Sequence, residues 1–340
     1  MVYQSPGMNA VIDRAVAGRW CVALALVAIA SLAAAAQENP SAVGSPNAST
    51  LETIQIRPNV YVIFGAGSNV TAHVGTDGIV LVDTGSTDDA AKMLQAVKAI
   101  SPKPIRLIVN TGPDADHVGG NGVLGDAGVS LSLDPFSQDS HATVLAHENV
   151  LLRMSAPTGS TPPFPARNWP NDTFTSRYRS FYVNDEAVQV VRQTGAHSDA
   201  DAMVLFRTAD VVATGDVIDL RQFPVIDAAR GGTIQGELEG LNRLLTELVV
   251  PRIPQVLKPG GTLVVPGHGY IADYAEVVEY RDTVTVVTDI VQSMIGKGMT
   301  LAQVKAANPT KGYRARYGSD SGQWTTDMFV EAVYNGLKKK

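Results

Sequence analysis

From Ile54 onward the chain alternates short apolar runs with polar turns. The runs VYVIF, NVTAHV and GIVLVDTG follow one another, and a turn at residues 75–78 separates the second run from the third. Runs of β-branched and aromatic residues between turn signals predict strands. Later runs of the same kind, AVQVV, AMVLF, VVAT and GTLVVPGHG, predict a second group of strands.

Apolar residues at helical spacing lie between these strands. Met93, Val97 and Ile100 predict a helix over about residues 88–100, which the buried strand IRLIVN follows. A leucine stripe predicts another helix over about residues 234–250, and the chain from Tyr274 to its end has a helical pattern. Alternating strands and helices indicate a layered α/β protein.

Residues 1–36 have the pattern of a secretory signal peptide. Arg14 and Arg19 precede the apolar run WCVALALVAIASLAAAA, which ends in small residues at positions 34–36. This run is shorter than the roughly 20 apolar residues of a membrane-spanning helix. We therefore expect cleavage near Ala36, a linker at residues 37–53, and a periplasmic or secreted mature protein with no stable membrane span.

Composition limits both the partners and the ligand chemistry. The net charge is -6 and no long basic run is present, which excludes the electrostatic surface typical of nucleic-acid binding. The only cysteine, Cys21, lies inside the predicted signal peptide. Any metal ion held by the mature protein must therefore use His, Asp or Glu side chains. The expected partner is a small-molecule substrate.

Polar residues with metal-ligand chemistry follow the predicted strands. Three of the six histidines and two aspartates lie beside glycine or threonine in loops after apolar runs: His117, His197, His268, Asp83 and Asp216. Strand ends in an α/β sheet converge at one edge, where ligand sites usually lie. These residues together predict a single site.

The order of these motifs resembles that of the metallo-β-lactamase superfamily over about residues 54–270. The family's H-x-H-x-D-H motif aligns with GPDADH at residues 112–117. VDTG at residues 82–85, the two later histidines and the aspartate in TGD match the remaining family motifs in order. The resemblance implies a four-layer αβ/βα sandwich over residues 54–272. It also implies a helical C-terminal extension at residues 273–340, packed on the same domain.

The resemblance further implies a metal centre with two sites, one of them altered. The second site keeps its family ligands: Asp116, His117, His268 and the bridging Asp216. In the first site, Gly112 and Asp114 stand where the family has histidines. That leaves Asp114, His197 and a share of Asp216 as the first-site ligands.

Two supporting roles follow from the same resemblance. Asp83 is expected to support the loop that carries the metal ligands. Asp116 is the expected catalytic residue, which would orient the attacking water or move its proton.

Charge and ligand type bear on the cofactor. The carboxylates of Asp114, Asp116 and Asp216 could not all ionise in one buried pocket without a counter-charge, and a divalent ion removes that conflict. One or two divalent ions are expected, with zinc as the first choice. Because Asp114 replaces an imidazole by an oxygen ligand, manganese and iron are the alternatives.

Three functions are compatible with these features. The first is an exported metal-dependent hydrolase that uses a metal-bound hydroxide on an ester, lactone or amide-type bond. The second is a non-catalytic metal- or ligand-binding protein that keeps the fold, because Gly112 makes the first site degenerate. The third is an iron-dependent redox enzyme, for which the carboxylate of Asp114 is the motivation.

A few other features have structural as well as functional interpretations. His73 fits a strand face, and His141 and His147 fit a helix surface or a helix cap. Arg221 is either a partner for a substrate carboxylate or a surface ion-pair residue. The proline- and aromatic-containing insert at residues 162–174 is either a lid over the pocket or a surface loop.

Overall fold

The computed structural model of the protein describes residues 51–131, 140–251 and 261–338. The predicted signal peptide and most of the predicted linker lie outside these residues, so cleavage near Ala36 and export stay predictions. The described chain forms two β-sheets with helices against them.

The first sheet contains seven strands in sequence order: β1 (Glu52–Arg57), β2 (Val60–Ala66), β3 (Ser68–Val74), β4 (Ile79–Val82), β5 (Ile105–Val109), β6 (Thr143–His147) and β7 (Asp172–Phe174). β1 to β4 pair antiparallel, whereas β4 to β7 pair parallel. Parallel pairing requires long crossovers, and helical segments supply them between these strands. β1 begins slightly before the predicted domain start at Ile54.

The second sheet contains five strands: β8 (Tyr178–Val183), β9 (Glu186–Arg192), β10 (Ala202–Phe206), β11 (Val211–Asp219) and β12 (Leu263–His268). Their spatial order is β12-β11-β10-β9-β8. β8 to β11 form an antiparallel meander, and β12 pairs parallel with β11 after a helical crossover. Two strands of this sheet therefore run in the same direction into the loops that carry the candidate ligands.

Helices fill the connections and the C-terminal region: α1 (Ala90–Ile100), α2 (Ala115–Val118), α3 (Asn121–Asp126), α4 (Glu148–Ser155), α5 (Ile234–Arg243), α6 (Tyr274–Gly296), α7 (Leu301–Ala306), α8 (Arg314–Tyr317) and α9 (Thr326–Lys338). Short 3-10 turns span Ala166–Asn168 and Ala228–Arg230, and a π-helical turn spans Leu244–Leu248. The predicted helix at residues 88–100 is α1, and that at 234–250 is α5 followed by the π-helical turn. Among the described residues, no helix combines the length and apolar character needed to cross a membrane.

Alternation along the strands produces the layers. In β4, Val80 and Val82 belong to the apolar core between the two sheets, whereas Ile79 and Leu81 pack with Met93 of α1 on the outer face. Successive side chains of a strand point to opposite faces, so a strand that is apolar throughout must be covered on both sides. The all-apolar run at residues 79–82 meets this condition.

The second sheet is covered in the same way. Val204 and Phe206 of β10 face the core between the sheets, and Met203 and Leu205 join the outer core formed with α5, α6 and α9. The layers are thus helix, sheet, sheet and helix. The predicted four-layer sandwich with a helical C-terminal region is confirmed.

Aromatic contacts hold the C-terminal helices against the second sheet. Phe329 of α9 stacks on Phe223, which follows β11, with ring centroids 4.7 Å apart and planes 5° from parallel. Tyr280 of α6 makes an edge-to-face contact with Tyr317 of α8, with centroids 5.4 Å apart. All four rings are almost fully buried. Aromatic pairs of this kind stabilise a packed interface beyond the area that they bury.

The insert at residues 162–174 contributes a strand rather than a free lid. β7 lies at its end and pairs with β6, and the side chain of Asn171 accepts the N–H of Val144 at 2.7 Å. Sequence pattern did not predict this strand because it is short and follows a proline-rich stretch.

Replacing Phe329 by Ala should lower the free energy of unfolding by about 3–5 kcal/mol, because a fully buried ring would leave a cavity against Phe223. Urea unfolding followed by circular dichroism measures the loss. Met328→Ala is the matched control, because Met328 is next to Phe329 in the sequence but its side chain is 42% exposed. If Phe329→Ala lost no more stability than Met328→Ala, the ring of Phe329 would contribute little to the packed core.

Candidate metal centre

The candidate site lies where strand ends of the two sheets meet. Asp83 directly follows β4, and the loop after β5 leads into α2, which carries Asp116 and His117. From the second sheet, β11 contains Asp216 and β12 ends at His268. The structure therefore brings together ligand candidates from distant parts of the chain, as the strand-end pattern predicted.

Asp83 fixes the orientation of His117. Its Oδ2 lies 2.8 Å from Nδ1 of His117, and Thr111 donates its backbone N–H at 2.8 Å and its hydroxyl at 2.6 Å to the same carboxylate. When Nδ1 donates its hydrogen to Asp83, Nε2 of His117 remains as the atom that can bind a ligand. Asp83 has a φ of 62°, a left-handed conformation that Asp and Asn adopt more readily than most residues.

Four ligand atoms of the second site converge. Nε2 of His117 lies 3.2 Å from Oδ1 of Asp216, and Nε2 of His268 lies 3.4 Å from that same oxygen. Nε2 of His268 also lies 3.3 Å from Oδ2 of Asp116. Ligand atoms around a tetrahedral zinc ion with bonds of about 2.0–2.1 Å are about 3.3 Å apart. The spacing of these four atoms therefore fits a divalent ion.

Two of these atoms are buried and make no hydrogen bond of good geometry, Nε2 of His117 and Oδ1 of Asp216, although they lie 3.2 Å from each other. Buried polar atoms in native proteins nearly always have a partner. Within the described part of the chain, no Lys or Arg side chain pairs with Asp116 or Asp216. Ligand atoms without hydrogen bonds, and the lack of such a Lys or Arg pair among the described residues, both favour a cation at the second site.

Charge coupling in the second site is strong. Burial alone would lower the pKa of His117, but the carboxylates of Asp216 and Asp83 raise that pKa well above its usual value. Burial alone would raise the pKa of Asp216, yet His117, His197 and His268 hold it well below the usual range. Protonated imidazoles thus balance the carboxylates in the absence of another cation. A divalent ion would supply the same positive charge in their place.

Two glycines allow the ligand loops to approach each other. A Cβ at Gly267 would lie 2.5 Å from Oδ1 of Asp216, and a Cβ at Gly67 would lie 2.6 Å from Cβ of Asp116. Both distances are too short for non-bonded atoms. The glycine before His268 therefore leaves the room in which Asp216 bridges the two sites.

The predicted ligands of the first site also lie together. Nε2 of His197 is 3.3 Å from Oδ2 of Asp114 and 3.9 Å from Oδ2 of Asp216. Nδ1 of His197 lies 2.8 Å from the carbonyl oxygen of Val225, which orients the ring. At Gly112, a Cβ would have only Oδ2 of Asp114 within 4 Å, at 3.9 Å, so the missing histidine leaves open space.

Arg230, to which no sequence motif pointed, enters the first site. Its Nη2 lies 2.7 Å from Oδ1 of Asp114 and 3.4 Å from Nε2 of His197, and its Nε lies 2.5 Å from Oδ2 of Asp227. Burial alone would raise the pKa of Asp114, but His197 and Arg230 lower it to about 2. The carboxylate of Asp114 therefore already has a cationic partner from the protein.

Two further acidic residues lie behind His197. Asp201 accepts the N–H of Ser198 at 2.8 Å and its hydroxyl at 2.6 Å, which shapes the loop after His197, and burial raises the pKa of Asp201 to about 7. Glu237 of α5 is fully buried, and neither of its carboxylate oxygens has a hydrogen-bond partner. Burial raises the pKa of Glu237 well above its usual value, which favours the neutral acid. The sequence analysis did not single out Glu237, although its spacing of three residues from Ile234 and four from Leu241 is the helical signal that could have placed it on the apolar face.

The remaining histidines lie outside the site. His73 is a buried residue of β3 that stacks on Phe206, with ring centroids 5.2 Å apart, which confirms its interpretation as a strand-face residue. His147 caps α4, because its Nδ1 accepts the N–H of Asn149 at 3.2 Å. His141 precedes β6 and lies on no helix, so the expected helix-surface position was wrong for this residue.

Arg221 is held by a neighbour rather than directed at the ligands. Its Nε and Nη2 each lie 3.0 Å from a different carboxylate oxygen of Asp219. Its side chain is 54% exposed. Of the two interpretations of Arg221, the geometry matches the ion pair.

A cavity of about 590 Å³ opens beside the first site. Its walls combine the apolar side chains of Pro113, Leu152 and Phe164 with two ion-paired arginines, Arg153 beside Asp199 and Arg230 beside Asp114. Phe164 comes from the insert at residues 162–174, which therefore forms a wall of this cavity. Such a mixed wall suits a small organic molecule with both apolar and polar groups.

Comparisons with known proteins agree with this geometry. A family model described as the metallo-beta-lactamase superfamily matches residues 63–284. Among solved structures, a metallo-beta-lactamase from Pontibacter korlensis is 18% identical, with a TM-score of 0.53, over 69% of this chain and 99% of that one. The metallo-beta-lactamase-fold structure titled VMB-1 is 15% identical, with a TM-score of 0.51, over 69% of this chain and 96% of its own.

A second kind of relative covers more of the chain. The stereoselective inverting sec-alkylsulfatase Pisa1 from Pseudomonas sp. is 17% identical, with a TM-score of 0.56, over 84% of this chain. The chain spans 50% of the length of that sulfatase. At these identities the solved structures establish a shared fold. No curated protein matched the sequence.

Replacing Asp83 by Asn should weaken zinc binding about 10- to 100-fold, because the partner that orients His117 loses its charge. Competition with a chromophoric chelator measures the affinity. Asp210→Asn is the matched control, since Asp210 also has a left-handed backbone, with a φ of 56°, and pairs with Thr262 instead of a candidate ligand. Equal affinities in all three proteins would contradict the supporting role of Asp83.

Proposed function

Because the chain belongs to the metallo-β-lactamase superfamily, we propose that it is an exported metal-dependent hydrolase of small-molecule ester, lactone or amide-type bonds. The observation that carries the proposal is that each of the four ligand atoms in the second site lies 3.2–3.4 Å from at least one other. A site with this spacing, in which no Lys or Arg among the described residues makes an ion pair with Asp116 or Asp216, is suited to one divalent ion, for which zinc is the first choice.

The residues of the second site have two roles in the proposed hydrolysis, which are to hold the ion and to move a proton. A divalent ion held by Asp116, His117, His268 and Asp216 would supply a Lewis acid that brings the pKa of water to about 7. Asp116 is the candidate proton carrier, because its side chain is 35% exposed while its Oδ2 faces Nε2 of His268. It therefore reaches both the ligand set and the solvent from which a nucleophile enters.

Substrate recognition falls to the cavity beside the first site. Leu152, Pro157 and Phe164 offer apolar surface, and the ion pair of Arg230 with Asp114 offers polar groups at the end nearest the ligands. These walls favour a substrate with an apolar body and a polar group near the bond that is cleaved. One structural relative is a sulfatase by its title, so a sulfate ester joins the carboxylic ester, lactone and amide as a candidate.

The export part of the proposal rests on the sequence of residues 1–36. Arg14 and Arg19, the apolar run and the small residues before Gln37 have the order of a cleavable signal, which would deliver the mature protein to the periplasm or the medium.

A non-catalytic binding protein is the second candidate. It is favoured by the first site, where Gly112 offers no ligand atom and Arg230 pairs with Asp114. Such a protein would keep the fold and the cavity without turning over a substrate.

The zinc-loaded protein should hydrolyse at least one member of a chromogenic panel made up of a carboxylic ester, a lactone, a β-lactam and a sulfate ester. Chelation should abolish the rate, and Asp116→Asn should lower kcat at least about 100-fold, because the proton carrier is lost. Initial rates by absorbance measure both effects.

Asp185→Asn is the control for that experiment. Asp185 is exposed, and its left-handed φ of 56° is a conformation that Asn also accepts. No turnover of any substrate by a protein that holds its ion would favour the binding protein instead. Iron in the purified protein, together with oxygen uptake, would favour a redox enzyme.

A further inference from the structure

We propose that the guanidinium of Arg230 takes the place of the metal ion in the first site, so that the chain holds a single ion, in the second site. The inference rests on the proposed function, because it concerns the same pair of sites. It begins from a contrast between them. Among the described residues, the carboxylates of Asp116 and Asp216 make ion pairs only with imidazoles, with Arg221 acting on them from a longer distance, whereas in the first site Asp114 pairs directly with Arg230.

Arg230 and a first-site ion would compete for the same two side chains, since Arg230 is paired with Oδ1 of Asp114 while Oδ2 of that carboxylate faces Nε2 of His197 at 3.3 Å. Nη2 of Arg230 lies 2.7 Å from Oδ1 of Asp114 and 3.4 Å from Nε2 of His197. An ion held by Asp114 and His197 would need both groups at about 2.0–2.2 Å. A guanidinium cannot give up its charge in a protein, so two cations would repel each other over a few ångströms.

The loop around Arg230 is built to keep the guanidinium there. The carbonyl oxygen of Arg230 accepts the N–H of Asp199 at 2.9 Å and Nη2 of Arg153 at 3.1 Å. Asp227 accepts the N–H of Arg230 at 3.0 Å and also holds its Nε. The N–H of Asp227 in turn donates to the carbonyl oxygen of His197 at 2.9 Å. These hydrogen bonds hold the loop of Arg230 against the connection between β9 and β10, which carries His197.

Packing restricts this loop further. A Cβ at Gly232 would lie 2.2 Å from the carbonyl oxygen of His197, so the backbone of the loop approaches that of His197 as closely as a glycine allows. The position of Arg230 is thus set by backbone contacts on both sides.

The absence of imidazoles at positions 112 and 114 and the presence of the guanidinium of Arg230 are chemically consistent with each other. The histidines of the family pattern are absent at Gly112 and Asp114, which leaves the first site poor in neutral ligands and adds a negative charge. A fixed cation beside Asp114 offsets that charge without requiring any further ligand. The substitution at 114 and the presence of Arg230 are therefore two parts of one altered site.

Metal stoichiometry tests the proposal without reference to activity. The purified protein is dialysed against Zn²⁺ and the bound ions are counted by elemental analysis and native mass spectrometry. The wild-type chain should hold one ion. Arg230→Gln should hold two, because Asp114, His197 and Asp216 become available to a second ion. Arg177→Gln, which removes an equal charge paired with Glu247 away from the candidate ligands, should hold one.

The measured ion counts distinguish a failure of this inference from a failure of the proposed function. Two ions in the wild-type chain would overturn the inference and leave the proposed hydrolase intact. No ion in any of the proteins would overturn the proposed function together with the inference. One ion in Arg230→Gln would overturn the claim that this side chain excludes the first-site ion.

A second variant keeps the test decisive if Arg230→Gln does not fold. Asp114→Asn should still bind one ion with less than a threefold change in affinity, because Asp114 pairs with Arg230 rather than with the ion. Asp116→Asn should weaken binding at least tenfold, because Asp116 belongs to the second site. Loss of the ion from Asp114→Asn would overturn the inference.

Discussion

The concentration of negative charge at the meeting point of the two sheets governs the site. Asp114 faces His197 and Asp116 faces His268, while Asp216, the most buried of the three carboxylates, faces both of these rings and His117. Like charges in a poorly solvated place raise the free energy of folding unless cations are close. Two features of the site can offset this negative charge. On one side of Asp216 there are ligand atoms open to a metal ion, and on the other side there is the guanidinium of Arg230.

Hydrogen bonds from the surrounding residues hold the ligands of the two sites in separate positions. Asp83 and Thr111 hold His117 on one side, whereas Val225 and Asp201 hold the His197 loop on the other. The parallel pair β11–β12 brings Asp216, in the second half of β11, close to His268 at the end of β12, and a side chain at position 267 would collide with Oδ1 of Asp216.

Local sequence predicted much of the fold and most of the ligand set. The all-apolar run at residues 79–82 and the helical spacing at residues 88–100 correspond to β4 and α1, because a short apolar run reflects a strand covered on both faces and a period of 3.6 reflects a helix buried on one face. His117, His197 and His268 were recognisable because each follows an apolar strand beside glycine. Arg230 was not, because its proximity to Asp114 depends on how one loop docks on another. The strand at residues 172–174 also escaped prediction, since three residues of mixed polarity have no periodicity.

The ion pair between Arg230 and Asp114 has a consequence for how the site is assembled. A metal ion must be captured from the surroundings, and its occupancy falls where that metal is scarce. A guanidinium is synthesised with the chain and keeps its charge at any pH that the folded protein meets. One half of the charge balance is therefore complete as soon as the backbone has folded. Only the other half depends on the metal supply of the compartment in which the protein works.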